Sequence, residues 1–391
     1  MVTSLLVFSR RIDLEVAEDI VQDAFSSAVV EWQRVDPPQN PAGWIYRVCR
    51  NKAINWINGE NRRTGSLISG LPCSEIVESE YSESKLEDYQ LKLLFACAHP
   101  ALAPKAQVVI TLKYVANLKV EAIARALAMT VDGIDRILVR SRLKLTEEKI
   151  QLDEPDASLL RLRLPIVHKV LYLIFNEGYR SSSGRELIRS ELCEDALIMC
   201  RSLIEGDVGN HETKALYSLM LLNSARFGSR FDAKGNIVDL EHQDRTVWNV
   251  DLIRLGQHYL NQSIQEEVSA YHTEASIACL HCAAPSFRRT DWAMIAKLYT
   301  QLLRNNPNPF VEVNRAIALY YSDGKDEAFR ILEDLHQHPF FHQYFPLTST
   351  LGKLHGLEGR RELARQFLTL ALTQAKLDAE KKFVSEMMEA L

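Results

Sequence analysis

The sequence predicts an all-α protein built of two or three domains. Three observations carry this expectation. Apolar residues recur at helical spacing from residue 13 almost to the C-terminus. Residues 118–145, LKVEAIARALAMTVDGIDRILVRSRLKL, read as two helices with a tight joint. Strand-like runs are confined to one segment, SRFDAKGNIVDLEHQD, where a small hairpin or extended loop is expected around the turn Asp232-Ala233-Lys234-Gly235. A chain of 391 residues is long enough for cores of this number. The formal net charge of −5 excludes a uniformly basic nucleic-acid coat, so any DNA contact must be local. Charge is indeed uneven. Residues 47–63 hold five Lys or Arg against one acid, Glu60, and nearly every charge within residues 75–88 is negative. The seven cysteines are scattered and odd in number, as suits a reducing cytoplasm. No apolar run is long enough to span a bilayer, and the charge of MVTSLLVFSRR follows its apolar patch, unlike a signal peptide.

Taken in order, Asp13 can cap a helix to about Gln33. Its inner stripe would be Leu14, Ala17, Val21, Ala24, Phe25, Ala28 and Trp32. Glu15, Glu18, Asp19, Gln22 and Asp23 fall on the outer side, which by itself reads as a solvated acidic face. Asp36-Pro37-Pro38 breaks this helix, and Asn40-Pro41 starts the next with Asn as N-cap and Pro at the first helical position. That helix, residues 42–58, would pack Ile45, Val48, Cys49, Ala53, Trp56 and Ile57 inward. Arg47, Asn51, Asn55 and Asn58 line the opposite face, beside Arg50 and Lys52, with Arg62 and Arg63 beyond. Asn is a poor helix former, so a face rich in it points to binding. Cationic groups meet phosphates, and amides and aromatics can meet bases.

Residues 64–90 read as an acidic linker. Residues 91–150 read as a four-helix unit: 91–98, a helix opened by Pro104, then the helix-turn-helix. In the latter, Ile123, Ala124 and Leu127 point inward from the first helix, and Thr130 caps the second. Ile134, Ile137, Leu138, Ser141 and Leu145 form its inner face. Arg136, Arg140 and Lys144 recur every four residues as a cationic stripe flanked by Arg142. A second linker at 151–157 precedes a larger helical region, 158–391. Near its end SDGKDEAFRILEDL and LEGRRELARQFLTLAL look alike, with Gly324 and Gly359 35 residues apart, close to the tetratricopeptide period. Two weak copies suggest stacked helix pairs, an arrangement that makes concave protein-binding surfaces.

The order of AEDIVQDAF, NPAGWIYRVCRNKAIN, an acidic linker and IARAL…RILVRSRLKL resembles an extracytoplasmic-function sigma factor of bacterial RNA polymerase. HPALAPKAQ, LYLIFNEGYRSSSG, RSELCEDA, HQDRTVW, TDWAMIAKLY and VEVNRAIAL look like the class with a C-terminal tetratricopeptide-like extension, so the resemblance spans nearly the whole chain. It implies that residues 1–63 are region two, with Glu18, Asp19, Val21, Gln22 and Asp23 docking on core RNA polymerase. It implies that Arg47, Arg50, Asn51, Lys52, Asn55, Arg62 and Arg63 melt and read the minus-ten promoter element. Region four would read the minus-thirty-five element, with Thr130, Asp132, Asp135 and Arg136 near bases and Arg140, Arg142 and Lys144 on phosphates. Region 158–391 would regulate activity, by docking in cis or by binding a protein partner. Three departures stand out. The opening helix of region two looks shortened, pointing to an upstream start or weakened polymerase binding. Asn55 and Asn58 replace the usual acid and Arg, so minus-ten specificity does not carry over. Asp132 and Asp135 place negative charge at the start of the recognition helix, where Asp132 can pair with Arg136 at i,i+4 or an Asp can accept from cytosine.

Catalysis and cofactors are not expected. Cys279-Leu280-His281-Cys282 with His272 has zinc-like chemistry but no second pair at a finger-like distance. Ser181–Gly184 lacks the context of a phosphate loop. Glu177 and Asp244-Arg245 read as polar-network residues of the extension. The rival functional classes are a helical-repeat scaffold with a degenerate sigma-like front half and a dimeric repressor, the latter disfavoured by the lack of dimerisation heptads.

Overall fold

The computed structural model describes residues 1, 5, 12, 14–64, 83–148, 150, 157–179, 189–232, 236–264, 267–305, 307–339 and 341–391. It is all-α, with no strand among the described residues. The chain divides into two compact units, Met1–Gly209 and Asn210–Leu391.

In the first unit, α1 (Leu14–Trp32) pairs with α2 (Pro41–Thr64). Asn40 caps α2, its Oδ1 accepting from the Gly43 amide at 2.9 Å, with Pro41 at the first position. The buried residues are Ala17, Ile20, Ala24 and Ala28 on α1 and Ile45, Cys49, Ala53 and Ile57 on α2. Three alanines on α1 let the two helices approach closely. Trp32 and Trp44 meet at 5.5 Å between centroids. Two expected positions are corrected here. Phe25, expected inward, is 47% exposed, whereas Ile20 is buried. The buried positions step 17, 20, 24, 28, and residue 25 lies about 100° round the helix from residue 24. An apolar side chain alone does not show which face it joins.

α2 continues past residue 58 to Thr64, and α3 (Glu83–Cys97) begins inside the stretch expected to be linker; residues 65–82 lie outside the described residues. Next come α4 (Pro104–Tyr114), α5 (Val120–Ala126) and α6 (Val131–Glu147). The joint between α5 and α6 is closed by Ala128 in the left-handed region, φ 51°, and by the Met129 amide donating to the Ala124 carbonyl at 2.8 Å. Thr130 Oγ1 accepts from the Gly133 amide at 3.1 Å, capping α6. Ile134, Leu138, Ser141 and Leu145 are buried, the inner face expected; Ile137 and Leu127 are half-buried.

α7 (Ala157–Tyr179) and α8 (Ser190–Glu205) complete this unit, α7 against α4 and both against α3. The expected border at 150–158 therefore falls inside the first compact unit. Arg163, 6% exposed, donates Nη1 to the Phe95 carbonyl at 2.8 Å, satisfying an acceptor at the end of α3. Burial pushes the Cys97 thiol up to about 12. The 181–184 loop and the 151–156 linker lie outside the described residues.

The second unit runs α9 (His211–Ser224), α10 (Val250–Ser263), α11 (Ala270–Ala283), α12 (Trp292–Asn305), α13 (Pro309–Tyr321), α14 (Lys325–Gln337), α15 (Phe345–Leu357), α16 (Arg361–Gln374) and α17 (Asp378–Glu389). The expected small hairpin reduces to an isolated antiparallel bridge, Phe231 to Ile237; its turn, 233–235, lies outside the described residues. α10 packs on α9 through Gly256, where a Cβ would meet Leu222 at 2.8 Å, and Ser218 Oγ donates to the Gly256 carbonyl at 2.7 Å.

The late repeat shows as two helix hairpins, α13–α14 and α15–α16. Their left-handed turn residues are Asp323, φ 73°, and Gly359, φ 72°. The structural period is therefore 36, and Asp323, not Gly324, is the counterpart of Gly359. Asp tolerates this conformation better than most side chains, which is why the match of glycines misaligns the copies by one.

Candidate nucleic-acid and polymerase interface

The site is built first on α1 and α2. Between them lies a groove of about 540 Å³ lined by Asp19, Gln22, Asp23 and Ser26 on one side and Lys52, Asn55 and Trp56 on the other. It brings together residues expected to face polymerase and residues expected to face promoter DNA. Lys52 Nζ lies 2.9 Å from Asp23 Oδ2. The pair spans the two groups, so in this state neither charge is free. Arg47, Asn51 and Asn55 are exposed along α2 and have no side-chain partner among the described residues. Arg50 is half-buried. Arg62 and Arg63 fall on the last turn of α2, but their side chains lie outside the described residues. On α1, Asp19 and Gln22 are exposed and Val21 is half-buried. Phe25, Val29 and Val30 continue this face as an exposed apolar ridge, 47–59% accessible. Sequence periodicity missed the ridge by assigning Phe25 to the core.

The second part is α6. Its exposed cations divide into two sets. Arg136 and Arg140 are exposed without an ion pair among the described residues. Lys144 donates to the Ala101 carbonyl at 2.8 Å and lies 3.9 Å from Glu148. Arg142 Nη2 meets Glu18 Oε1 at 2.6 Å, and its Nε donates to the Tyr114 hydroxyl at 2.7 Å. Burial pushes the Tyr114 phenol up and outweighs the lowering by its bond to Arg142. Arg142 thus ties α6 to the acidic face of α1, a pairing across 124 residues with no local signature. Tyr114 likewise had no sequence signal. Asp132 and Asp135 are exposed, and of the two alternatives for Asp132 the pair with Arg136 is not formed here. Thr130 Oγ1 accepts the cap bond, and its hydroxyl proton stays available to donate.

Cys279, Cys282, His272, Asp244 and Arg245 each have partners within the chain. Cys279 Sγ accepts from Gln257 at 3.9 Å, Cys282 Sγ donates to the Leu222 carbonyl at 3.6 Å, and His272 bonds Ser269 and the Ser263 carbonyl. Burial pushes the Cys282 thiol up to about 11. Asp244 caps its own turn through Thr246, and Arg245 donates to the carbonyls of His281 and Ala284 at 2.6 and 2.7 Å. In HQDRTVW, Arg245 also lies over the Trp248 ring, 4.6 Å from its centroid. That motif therefore closes the end of α11. No described helix is long and apolar enough to cross a membrane.

Residues 6–63, which hold α1 and most of α2, match the family Sigma-70 region 2. Residues 163–264 match a family of unknown function, DUF6596. An uncharacterized protein of Rhizobium meliloti (strain 1021) is 32% identical over 399 residues, covering 99% of this chain and 92% of its own. The chain belongs to the family of that protein. With a sigma-70 region 2 at its front, it is sigma-factor-like, and that region implies core RNA polymerase and promoter DNA as its partners. No solved structure matches this sigma-factor-like chain. The exposed Asn-Arg face of α2 and the acidic face of α1 both lie inside the matched segment, whereas the helix-turn-helix lies outside it.

Proposed function

We propose that the protein is a transcription initiation factor of the extracytoplasmic-function type, which brings core RNA polymerase to a set of promoters. α1 docks on polymerase through Asp19, Gln22 and the Phe25–Val29 ridge, while α2 presents Arg47, Asn51 and Asn55 to the minus-ten DNA. α6 enters the major groove at the minus-thirty-five element, with Arg136 and Arg140 on the backbone. The observation that carries this reading is the sigma-70 region 2 match falling on a helix pair with one acidic-apolar face and one Asn-Arg face. The second unit is the regulatory or partner-binding part, a tetratricopeptide-like stack in which the α13–α14 and α15–α16 hairpins repeat. The protein performs no chemistry of its own and works in the cytoplasm, where polymerase and promoters are.

The test is capture of purified core polymerase by the full chain, followed by run-off transcription on a genomic fragment library. Discrete start sites sharing two motifs support the reading. A folded chain that does not bind polymerase points to the helical-repeat scaffold. Deleting residues 210–391 tests the regulatory part: an unchanged transcript pattern and yield removes it.

A further inference from the structure

The second unit contains a cleft of about 310 Å³ that no part of the proposed promoter function uses. That volume falls at the lower end of the range typical of small-molecule sites. One wall is aromatic. Phe287, Trp292 and Tyr321 lie within 4.8–5.0 Å of one another, centroid to centroid. The other end is charged: Lys353 Nζ sits 2.6 Å from Asp239 and 3.1 Å from Glu241. One ammonium is thus shared by two carboxylates; Asp239 also meets Nδ1 of the exposed His242 at 2.5 Å, so with that ring neutral a negative charge is left over. Lys353 engages Glu241 through Oε2, and Oε1 has no partner among the described residues.

Three further polar groups on the lining are uncommitted. The Asn314 amide and the Tyr321 hydroxyl make no hydrogen bond among the described residues. His281, 9% exposed, leaves its buried Nδ1 without a partner. The surplus carboxylate attracts a cation, and aromatic faces attract the same charge through their quadrupoles. An apolar body fits against the rings, as a hydrated metal ion would not. A metal is disfavoured for a second reason, since the Lys353 ammonium already stands where Asp239 and Glu241 converge.

We propose that this cleft is a binding site for a small organic cation, an alkyl or aryl ammonium carried on an apolar body. The body lies against Trp292 and Tyr321 and the ammonium meets the free oxygen of Glu241. The site is independent of the reading of the N-terminal unit, because binding is measured without polymerase or DNA.

The experiment is calorimetric titration of the full chain with ammonium probes from butylammonium to phenethylammonium and tryptammonium. 3-Phenylpropionate, of similar body and opposite charge, is the control. Saturable binding is expected for the aryl ammonium probes, with 3-phenylpropionate at least about tenfold weaker. Glu241→Gln should weaken the ammonium probes by about tenfold or more, the worth of one charge-assisted hydrogen bond. This side chain is half-exposed, and the Lys353–Asp239 bond survives its neutralisation, so the fold should persist; the melting temperature of the variant checks this. Asn314→Ala, at an exposed position, should weaken binding without any change in melting. Equal or tighter binding of 3-phenylpropionate would make Lys353 the recognition group and overturn the proposal. Absence of saturable binding by every ammonium probe, or unchanged affinity in a folded Glu241→Gln chain, also overturns it.

Discussion

The division of the α6 cations into free and committed sets gives a quantitative expectation for DNA binding. Arg136 and Arg140 stand four residues apart, about 6 Å along the helix axis, and both are exposed without a partner. Each can neutralise one phosphate, and each such contact contributes about 0.9 to the slope of log affinity against log salt. Replacing both by Ala should lower that slope by about 1.8. Between 50 and 200 mM salt the wild-type chain should therefore lose roughly twelvefold more affinity than the double variant. Both positions are exposed in mid-helix, so stability should stay within about 0.5 kcal/mol. Arg142→Ala is the contrast, because its guanidinium already holds Glu18 and Tyr114. Its slope should fall by clearly less than 0.9, since a phosphate must first displace an existing anion. The assay is fluorescence anisotropy on a promoter fragment over a salt series, with polymerase present. An unchanged slope in Arg136→Ala/Arg140→Ala, or an equal fall in Arg142→Ala, would refute the division.

Three other outcomes follow from geometry. Thr130→Ala removes the cap on the Gly133 amide and should cost about 1 kcal/mol in chemical denaturation, and Thr130→Asp should restore most of it. Gly359→Ala, at φ 72° with open space around it, should cost about 1 kcal/mol through backbone strain alone, measured the same way. His281 sets a pH dependence. Burial, then the charges of Arg226 and Arg245, push it down to about 3, so the folded state keeps it neutral while an unfolded His gains a proton below about 6.5. Its contribution is present above about 6.5 and is lost as pH falls toward 3, about 2 kcal/mol by pH 5. His281→Leu should flatten the pH 5–7 part of the stability profile, and an unchanged profile would show that His281 is not neutral by burial.

Much of the architecture is local and was legible. Helical spacing, the Asn40-Pro41 start and the Thr130 cap are decided by neighbours within one or two turns, and the helices appear where these signals place them. The inner face of α6 follows nearly complete from its own spacing, because a single face of one helix is a short-range pattern. Errors arose where two positions compete for one seam. Phe25 and Ile20 are both apolar and only the partner helix decides between them. The boundaries of α2 and α3 ran beyond their expected ends because charged, Asn-rich stretches carry little apolar periodicity.

What the amino-acid order determined by itself was the helical class, the helix-turn-helix with its cap, and which cations lie on which helix. Tertiary structure alone decided which of those charges are free. Lys52 with Asp23, Arg142 with Glu18 and Lys353 with Asp239 are separated by 29, 124 and 114 residues. A side chain's charge is written in the chain, but its partner depends on how distant helices pack. That packing turned a uniform cationic stripe into two free arginines and two committed cations. It also gathered acidic and aromatic residues from Asp239 to Phe383 into one cleft.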